Sequence, residues 1–306
     1  KPELTQETLE DERLLEKFPE DEELVSIFHD TWGRIEEHLE LSLTSEEALK
    51  LFSSLVVYDM PDGTRSTLTV SPEVDVGADA GLYCVALIHT LRGLGAPSCI
   101  IMTHTSYNRM RGREGLDRIL KVISRGVKPL QRYARHRGVG VYWIGMRPGY
   151  ELESQLLSNF PMPSDPAFDA FFLIDYAEEL IGDSSVRKDL LRLPSVDVCI
   201  RHTKLNMSGG WIPGKLLTST FVYSQNGTLY SNWSFRELVA MSTVALLAKL
   251  FHTGEGLAKM YGDIDEVKRR YQLRELKLFN QHIRLRSKPR KLFVLGSPLG
   301  LYQLYY

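Results

Sequence analysis

The residues best able to do chemistry fall at the ends of apolar runs. Asp59-Met60-Pro61-Asp62-Gly63-Thr64-Arg65 places two carboxylates and a guanidinium directly after Leu55–Tyr58. Carboxylates with water suit Mg²⁺, and an arginine suits phosphate oxygens. A second stretch, Val196–Pro213, carries Arg201 where its apolar alternation ends. Thr203, Lys204, Asn206, Ser208, Gly209 and Gly210 follow. An arginine beside small residues that bare backbone N–H groups suits an anion such as diphosphate. Each stretch also has a plainer reading. The first can be an Asp-Gly hairpin running on into the β-like Thr64–Val70, and Arg201 can pair with a surface carboxylate.

These residues need rigid elements behind them. Leu55–Tyr58, Cys99–Met102, Val139–Ile144, Phe171–Ile174, Val196–Ile200 and Thr218–Tyr223 read as short buried strands. Helical patterns at Gly77–Leu94 and Leu116–Arg137 separate the first three, and a helix follows Asp175-Tyr176. Arg147-Pro148-Gly149 reads as a turn before a short helix at Glu151–Leu157. Strand alternating with helix predicts an α/β fold with a mostly parallel sheet and helices on both faces. In such sheets ligands sit beyond the carboxyl ends of the strands. Asp59, Asp62 and Arg65 are therefore expected to line one cavity with Thr105, Asn108 and Arg201.

Three regions are expected. Residues 1–50 form an acidic helical extension, with Leu14, Phe18, Leu24, Ile27, Phe28, Trp32, Ile35 and Leu39 as an apolar stripe and Thr44–Glu47 as a capping box. Residues 51–262 form the α/β domain. Residues 263–306 carry an amphipathic basic helix, Val267–Leu285, and an aromatic tail. Trp233–Leu250 is a strongly apolar helix expected to cover the sheet.

Composition narrows the function classes. The 306 residues are 43% hydrophobic and 25% charged with a net charge of −2, an ordinary globular balance with no overall basicity to draw nucleic acid. The charge is uneven. Residues 1–50 hold sixteen acidic and five basic side chains, and residues 259–291 hold eleven basic and four acidic. The basic segment reads as a solvated face or as a surface that meets membranes and anionic partners. Cys84, Cys99 and Cys199 sit in apolar segments without metal spacing, and no two histidines form an i, i+4 ligand pair, so no zinc site is expected. With no membrane-length apolar run and no signal-peptide pattern, reduced cysteines point to a cytoplasmic setting. Neither G-x-G-x-x-G nor G-x-x-x-x-G-K-[ST] occurs, which removes support for the usual nucleotide-binding loops.

Taken in order, the strand ends resemble those of the cis-prenyltransferases, the undecaprenyl diphosphate synthase family, over roughly residues 55–262. The family's D-G-N-G-R-[WF] loop resembles Asp59–Arg65; Asp59 or Asp62 matches its aspartate and Arg65 its arginine, with an insertion of up to two residues. Its F-S-T-E-N-W-x-R loop resembles His104–Arg111, with Thr105, Asn108 and Arg111 retained and the glutamate and tryptophan lost. Gly138–Gly145 and Asp175-Tyr176 echo the G-V-x-x-x-x-I-G-D and N-Y-G-G segments. Asp197-Val198-Cys199-Ile200-Arg201 echoes D-x-x-I-R, with Ser208 at the later serine, Asn206 where a second arginine belongs and Lys204 as a less directional cation. Trp233-Ser234-Phe235 echoes W-P-x-F. The family's H-K-x-G helix start is replaced by Gly77–Gly81, so its histidine is missing.

The resemblance implies an enzyme acting on an allylic prenyl diphosphate, with Mg²⁺ held by Asp59 and Asp62. It implies catalytic roles for Asp59, Asp62, Thr105 and Asn108, and diphosphate binding by Gly63, Arg65, Arg111, Arg201, Lys204 and Ser208. The leaving-group apparatus is better retained than the acceptor site. That imbalance suits Mg²⁺-assisted ionisation leading to a short or irregular coupling or to terpene cyclisation. An iterative cis-prenyl chain elongase and a non-catalytic partner subunit, like the Nogo-B receptor relatives, are the alternatives. The resemblance and the apolar Trp233–Leu250 imply a homodimer, or a heteromer with a homologous subunit, with peripheral membrane contact.

Overall fold

The computed structural model describes residues 17–61, 76–145, 160, 163–202, 209–226, 229–230, 232–269, 280–297 and 300–306. Asp62, Gly63, Arg65, Lys204, Ser208, the 64–70 strand, the 147–149 turn and the 151–157 helix lie outside them. For Arg111 only the backbone is described.

The centre is a run of parallel strands: β1 (Val56–Met60), β2 (Ser98–Met102), β3 (Val139–Ile144), β4 (Phe168–Leu173), β5 (Val198–His202) and β6 (Thr220–Ser224). They stand in the order β3-β4-β2-β1-β5-β6. β1, β2 and β5 are buried at every position, which is why they read as continuous apolar runs rather than alternating ones. From β1 the chain moves outward on one side, through β2 to β3 at the edge, and β4 then fills the place between β2 and β3. It then returns to lay β5 against β1's other edge, with β6 beyond. The direction of winding reverses between β1 and β5, the switch point at which doubly wound sheets open a crevice.

One face of the sheet is covered by α1 (Asp21–Leu39), α3 (Val76–Gly93), α4 (Gly112–Arg137) and α6 (Phe235–His252). Helix α2 (Ser45–Lys50) joins α1 to β1, and its start at Thr44 carries the expected capping box, with both hydrogen bonds formed. The other face is covered by α5 (Ser184–Arg192) and residues 209–216. Helix α7 (Gly254–Tyr261) follows α6 and ends at Gly262 in the left-handed conformation.

One feature differs from the sequence expectation. Residues 280–305 contain strands, not the end of the Val267–Leu285 helix and an aromatic tail. β7 (Asn280–Arg284), β8 (Leu292–Ser297) and β9 (Gly300–Tyr305) extend the sheet, with β8 antiparallel to β6. Among the described residues of 263–306, helix is found at 264–269. The alternation of Phe293 and Leu295 inward with neighbours outward has a period of two, and tertiary pairing with β6 decides it. The described part of the acidic extension packs on the core. Phe18, Trp32 and Ile35 share one hydrophobic core with Phe251, Tyr302 and Tyr306, and Arg34 donates to the Leu285 carbonyl at 2.6 Å.

Helix α6 is where the apolar excess of 233–250 goes. Thirteen of its eighteen residues are buried within the chain, packed on α1, α3, β5, β6 and β8. No second subunit is needed to cover it.

Candidate functional site

Asp59 is the penultimate residue of β1, and its side chain follows Val57 onto the face covered by α3. Its carboxylate is fully buried. Oδ1 accepts a hydrogen bond from His202 Nε2 at 2.8 Å, and Oδ2 accepts from the Tyr83 hydroxyl at 3.0 Å. The Tyr83 oxygen also lies 3.4 Å from His202 Nε2. His202 ends β5 and Tyr83 lies in the second turn of α3, so three elements meet on one carboxylate. Both partners have no exposure. Burial pushes the Tyr83 phenol well above its ordinary acidity range, and the neighbouring Asp59 adds to the effect. The other ring nitrogen of His202, Nδ1, is buried without a hydrogen-bond partner. Leaving such an atom unpaired costs about 1–3 kcal/mol.

Arg201 precedes His202 and therefore points to the opposite face. The register pairs Asp59 with Ile200 and Met60 with Arg201, so the guanidinium shares its face with Tyr58, Met60 and Cys199. Arg201 is buried, and its charge opposes the upward shift that burial imposes on the Tyr58 phenol. The expectation of one cavity holding Asp59 and Arg201 is thus corrected. Both sit at the carboxyl ends of adjacent strands, but the period of two turns their side chains apart.

The loop after β5 returns over that second face. The Tyr58 hydroxyl donates to the Gly210 carbonyl at 2.7 Å. A Cβ on Gly210 would fall 2.4 Å from Met102 Cε and 2.9 Å from the Tyr58 oxygen, and its φ of +84° excludes most side chains. Gly209 approaches the ends of the β2 loop, where its Cβ would meet Thr105 Cγ2 and the Tyr107 ring at 3.3 Å. Thr105 bridges to Tyr176, and the Asn108 N–H donates to the Thr105 carbonyl at 3.0 Å in a single 3₁₀ segment, Ser106–Arg111. Tyr176 donates to the Trp211 carbonyl at 2.9 Å, and the Trp211 N–H donates to Glu178 at 2.8 Å. Asp175, at the end of β4, holds φ +51°, a conformation that Asp and Asn tolerate better than other side chains. Thr105, Asn108, Tyr176 and Gly209–Gly210 therefore gather on the Arg201 side, apart from the Asp59 cluster.

Mg²⁺ can be tested against these donors. Both Asp59 oxygens are taken by His202 and Tyr83, and the carboxylate has no exposed surface. Among the described residues no group of three or more His, Cys, Asp and Glu side chains could hold a metal ion. As the structure presents it, Asp59 does not fit Mg²⁺.

The sequence reading missed His202 and Tyr83. His202 stands beside Arg201 on a strand, so its opposite facing was available from alternation, but its carboxylate partner lies 143 residues away. Asp197, by contrast, marks the amino end of β5. It accepts from the Val56 N–H at 2.8 Å and pairs with Lys249 at 3.0 Å, which fastens β1 and α6 far from the strand ends. The three cysteines are free thiols whose acidity is suppressed by burial and, second, by the charge of Asp59. Among the described residues no helix is long and apolar enough to cross a membrane.

No protein-family model matches the chain, and no curated protein matches it. Solved structures do. A probable undecaprenyl diphosphate synthase from Campylobacter jejuni is 15% identical, with a TM-score of 0.44 over 62% of this chain and 93% of that one. Lavandulyl diphosphate synthase from Lavandula x intermedia, in complex with dimethylallyl diphosphate, is 14% identical, with a TM-score of 0.46 over 62% and 94%. The chain is similar to these proteins at that level, and its functional reading rests on its own residues.

Proposed function

We propose that the chain acts on an allylic prenyl diphosphate at the carboxyl ends of β1 and β5, ionising it toward a short or irregular coupling or a cyclisation. The observation that carries this reading is the strand order. The two strands whose ends bear the acid, the histidine and the arginine are neighbours at the switch point of the sheet. In this reading Arg201, with Gly209–Gly210 and Thr105, forms the polar wall on one face. Asp62, Gly63, Arg65, Arg111, Lys204 and Ser208 are assigned to diphosphate by the sequence resemblance. Mg²⁺, where bound, would neutralise charge on the departing diphosphate. Asp62 is the remaining carboxylate of the first loop for it, because Asp59 is engaged.

One observation favours a second reading. A carboxylate sealed by its own chain suits a non-catalytic partner subunit better than an open metal site. The discriminating experiment measures diphosphate release from geranyl or farnesyl diphosphate, with and without isopentenyl diphosphate and Mg²⁺. Release without acceptor supports cyclisation or simple ionisation, and release only with acceptor supports a transferase or elongase. No release under any condition, with a homologous protein co-purifying, supports the partner subunit. A homodimer, membrane contact and a cytoplasmic setting belong to the same proposal. Light scattering at micromolar concentration tests the first, and a monomer would remove it.

A further inference from the structure

We propose that Asp59 is not a metal ligand in this chain but the anchor of a closed Asp59–His202–Tyr83 triad, and that the polar atom the triad keeps in reserve is His202 Nδ1. The argument begins with the hydrogen bonds. Asp59 Oδ1 can only accept from His202, so Nε2 carries the proton of the 2.8 Å contact. Tyr83 donates to the second oxygen at 3.0 Å. Asp59 has no exposed surface, and its two donors are fixed by a strand and a helix, so a divalent cation would have to open the packing of β1, β5 and α3 to reach the carboxylate. His202 and Tyr83 thus satisfy the Asp59 side chain without a cation.

The remaining atom gives the triad a direction. Nδ1 is buried and makes no hydrogen bond. A buried N–H without an acceptor is rarer than a bare acceptor, so Nδ1 holds a lone pair. Its complement is a hydrogen-bond donor, such as a water or a hydroxyl. Ionised diphosphate only accepts, so it is not the ligand of this atom. The carboxylate that orients one ring nitrogen and leaves the other as an acceptor repeats the logic of Asp–His pairs on unrelated folds. In placing diphosphate on the Arg201 face and the triad on the other, the inference rests on the prenyl diphosphate reading.

Nitrogen NMR of histidine-labelled full-length protein tests it, with the His202 signal identified by its loss in His202→Gln. If that variant fails to fold, the signal perturbed by Tyr83→Phe serves. The expected spectrum shows the Nε2–H tautomer, unmoved by millimolar Mg²⁺ and by inorganic pyrophosphate. A Mg²⁺-dependent shift of His202 would mean that the metal reaches Asp59 and would overturn the proposal. So would a proton found on Nδ1, or one appearing there when pyrophosphate is added. Diphosphate release is scored separately. A chain without release whose His202 signal is as expected loses the prenyl diphosphate reading and keeps the metal-free triad.

Discussion

At the scale of single residues, the site is governed by saturation. Asp59 has two oxygens and two donors, and removing either donor strands a buried acceptor. Tyr83→Phe should therefore lower stability by about 1–3 kcal/mol, measured by chemical denaturation, although it removes only one oxygen atom. A loss near zero would mean that water reaches Asp59 and that the triad is open. The thiols provide a second check. Cys99 and Cys199 have no exposure, and burial holds both protonated. A thiol reagent at mildly alkaline pH should label neither in the native protein and both after denaturation. Native labelling would show that the sheet beneath Asp59 opens on the timescale of the reaction.

At the scale of elements, the contact of α3 with α4 depends on glycine. A Cβ on Gly81 would stand 2.4 Å from the Gly126 carbonyl oxygen and 2.5 Å from its Cα, and one on Gly77 would stand 2.8 Å from the Val122 oxygen. Backbone cannot yield as a side chain can, so the helices would separate. Alanine normally gains about 1 kcal/mol over glycine inside a helix. At position 81 the overlap, on the order of 1–3 kcal/mol, should reverse the sign and make Gly81→Ala destabilising. Gly33 on α1 is exposed and has nothing within 4 Å of its would-be Cβ. Gly33→Ala should raise the melting temperature, and the two variants melted side by side separate propensity from packing.

At the scale of the whole molecule, His89 ties the acidic N-terminal segment to the helical layer. Its Nε2–H donates to the Pro19 carbonyl at 2.8 Å, and its Nδ1 lies 3.0 Å from the Tyr133 hydroxyl on α4. Burial lowers its pKa below the ordinary 6.5; Arg92 and Arg137 lower it further, while the Pro19 hydrogen bond and Asp21 act the other way. The folded state thus binds a proton less readily than the unfolded one. Its contribution is fully present above about pH 6.5 and declines as the pH falls through that value toward the lowered folded pKa. Denaturation midpoints followed from neutral pH downward should fall, and His89→Gln should flatten the first part of that fall. An unchanged slope in the variant would assign the acid sensitivity to carboxylates.

Periodicity and turn composition were enough to locate the six parallel strands within two or three residues, the Thr44 capping box and the buried stripe from Phe18 to Leu39. Those signals are local, because alternation and capping involve residues a few positions apart. Alternation even contains the fact that Arg201 and His202 must face opposite ways. What the sequence could not carry is which face each strand end shares with its neighbour, since that depends on a register between residues more than a hundred positions apart. Tertiary structure alone brought His202 and Tyr83 to Asp59, separated that carboxylate from Arg201, and made a strand of 292–297 by pairing β8 with β6. The physical reason is the same in each case. A side chain's type is written at its own position, but its partners are chosen by long-range pairing and by what the core must exclude from water.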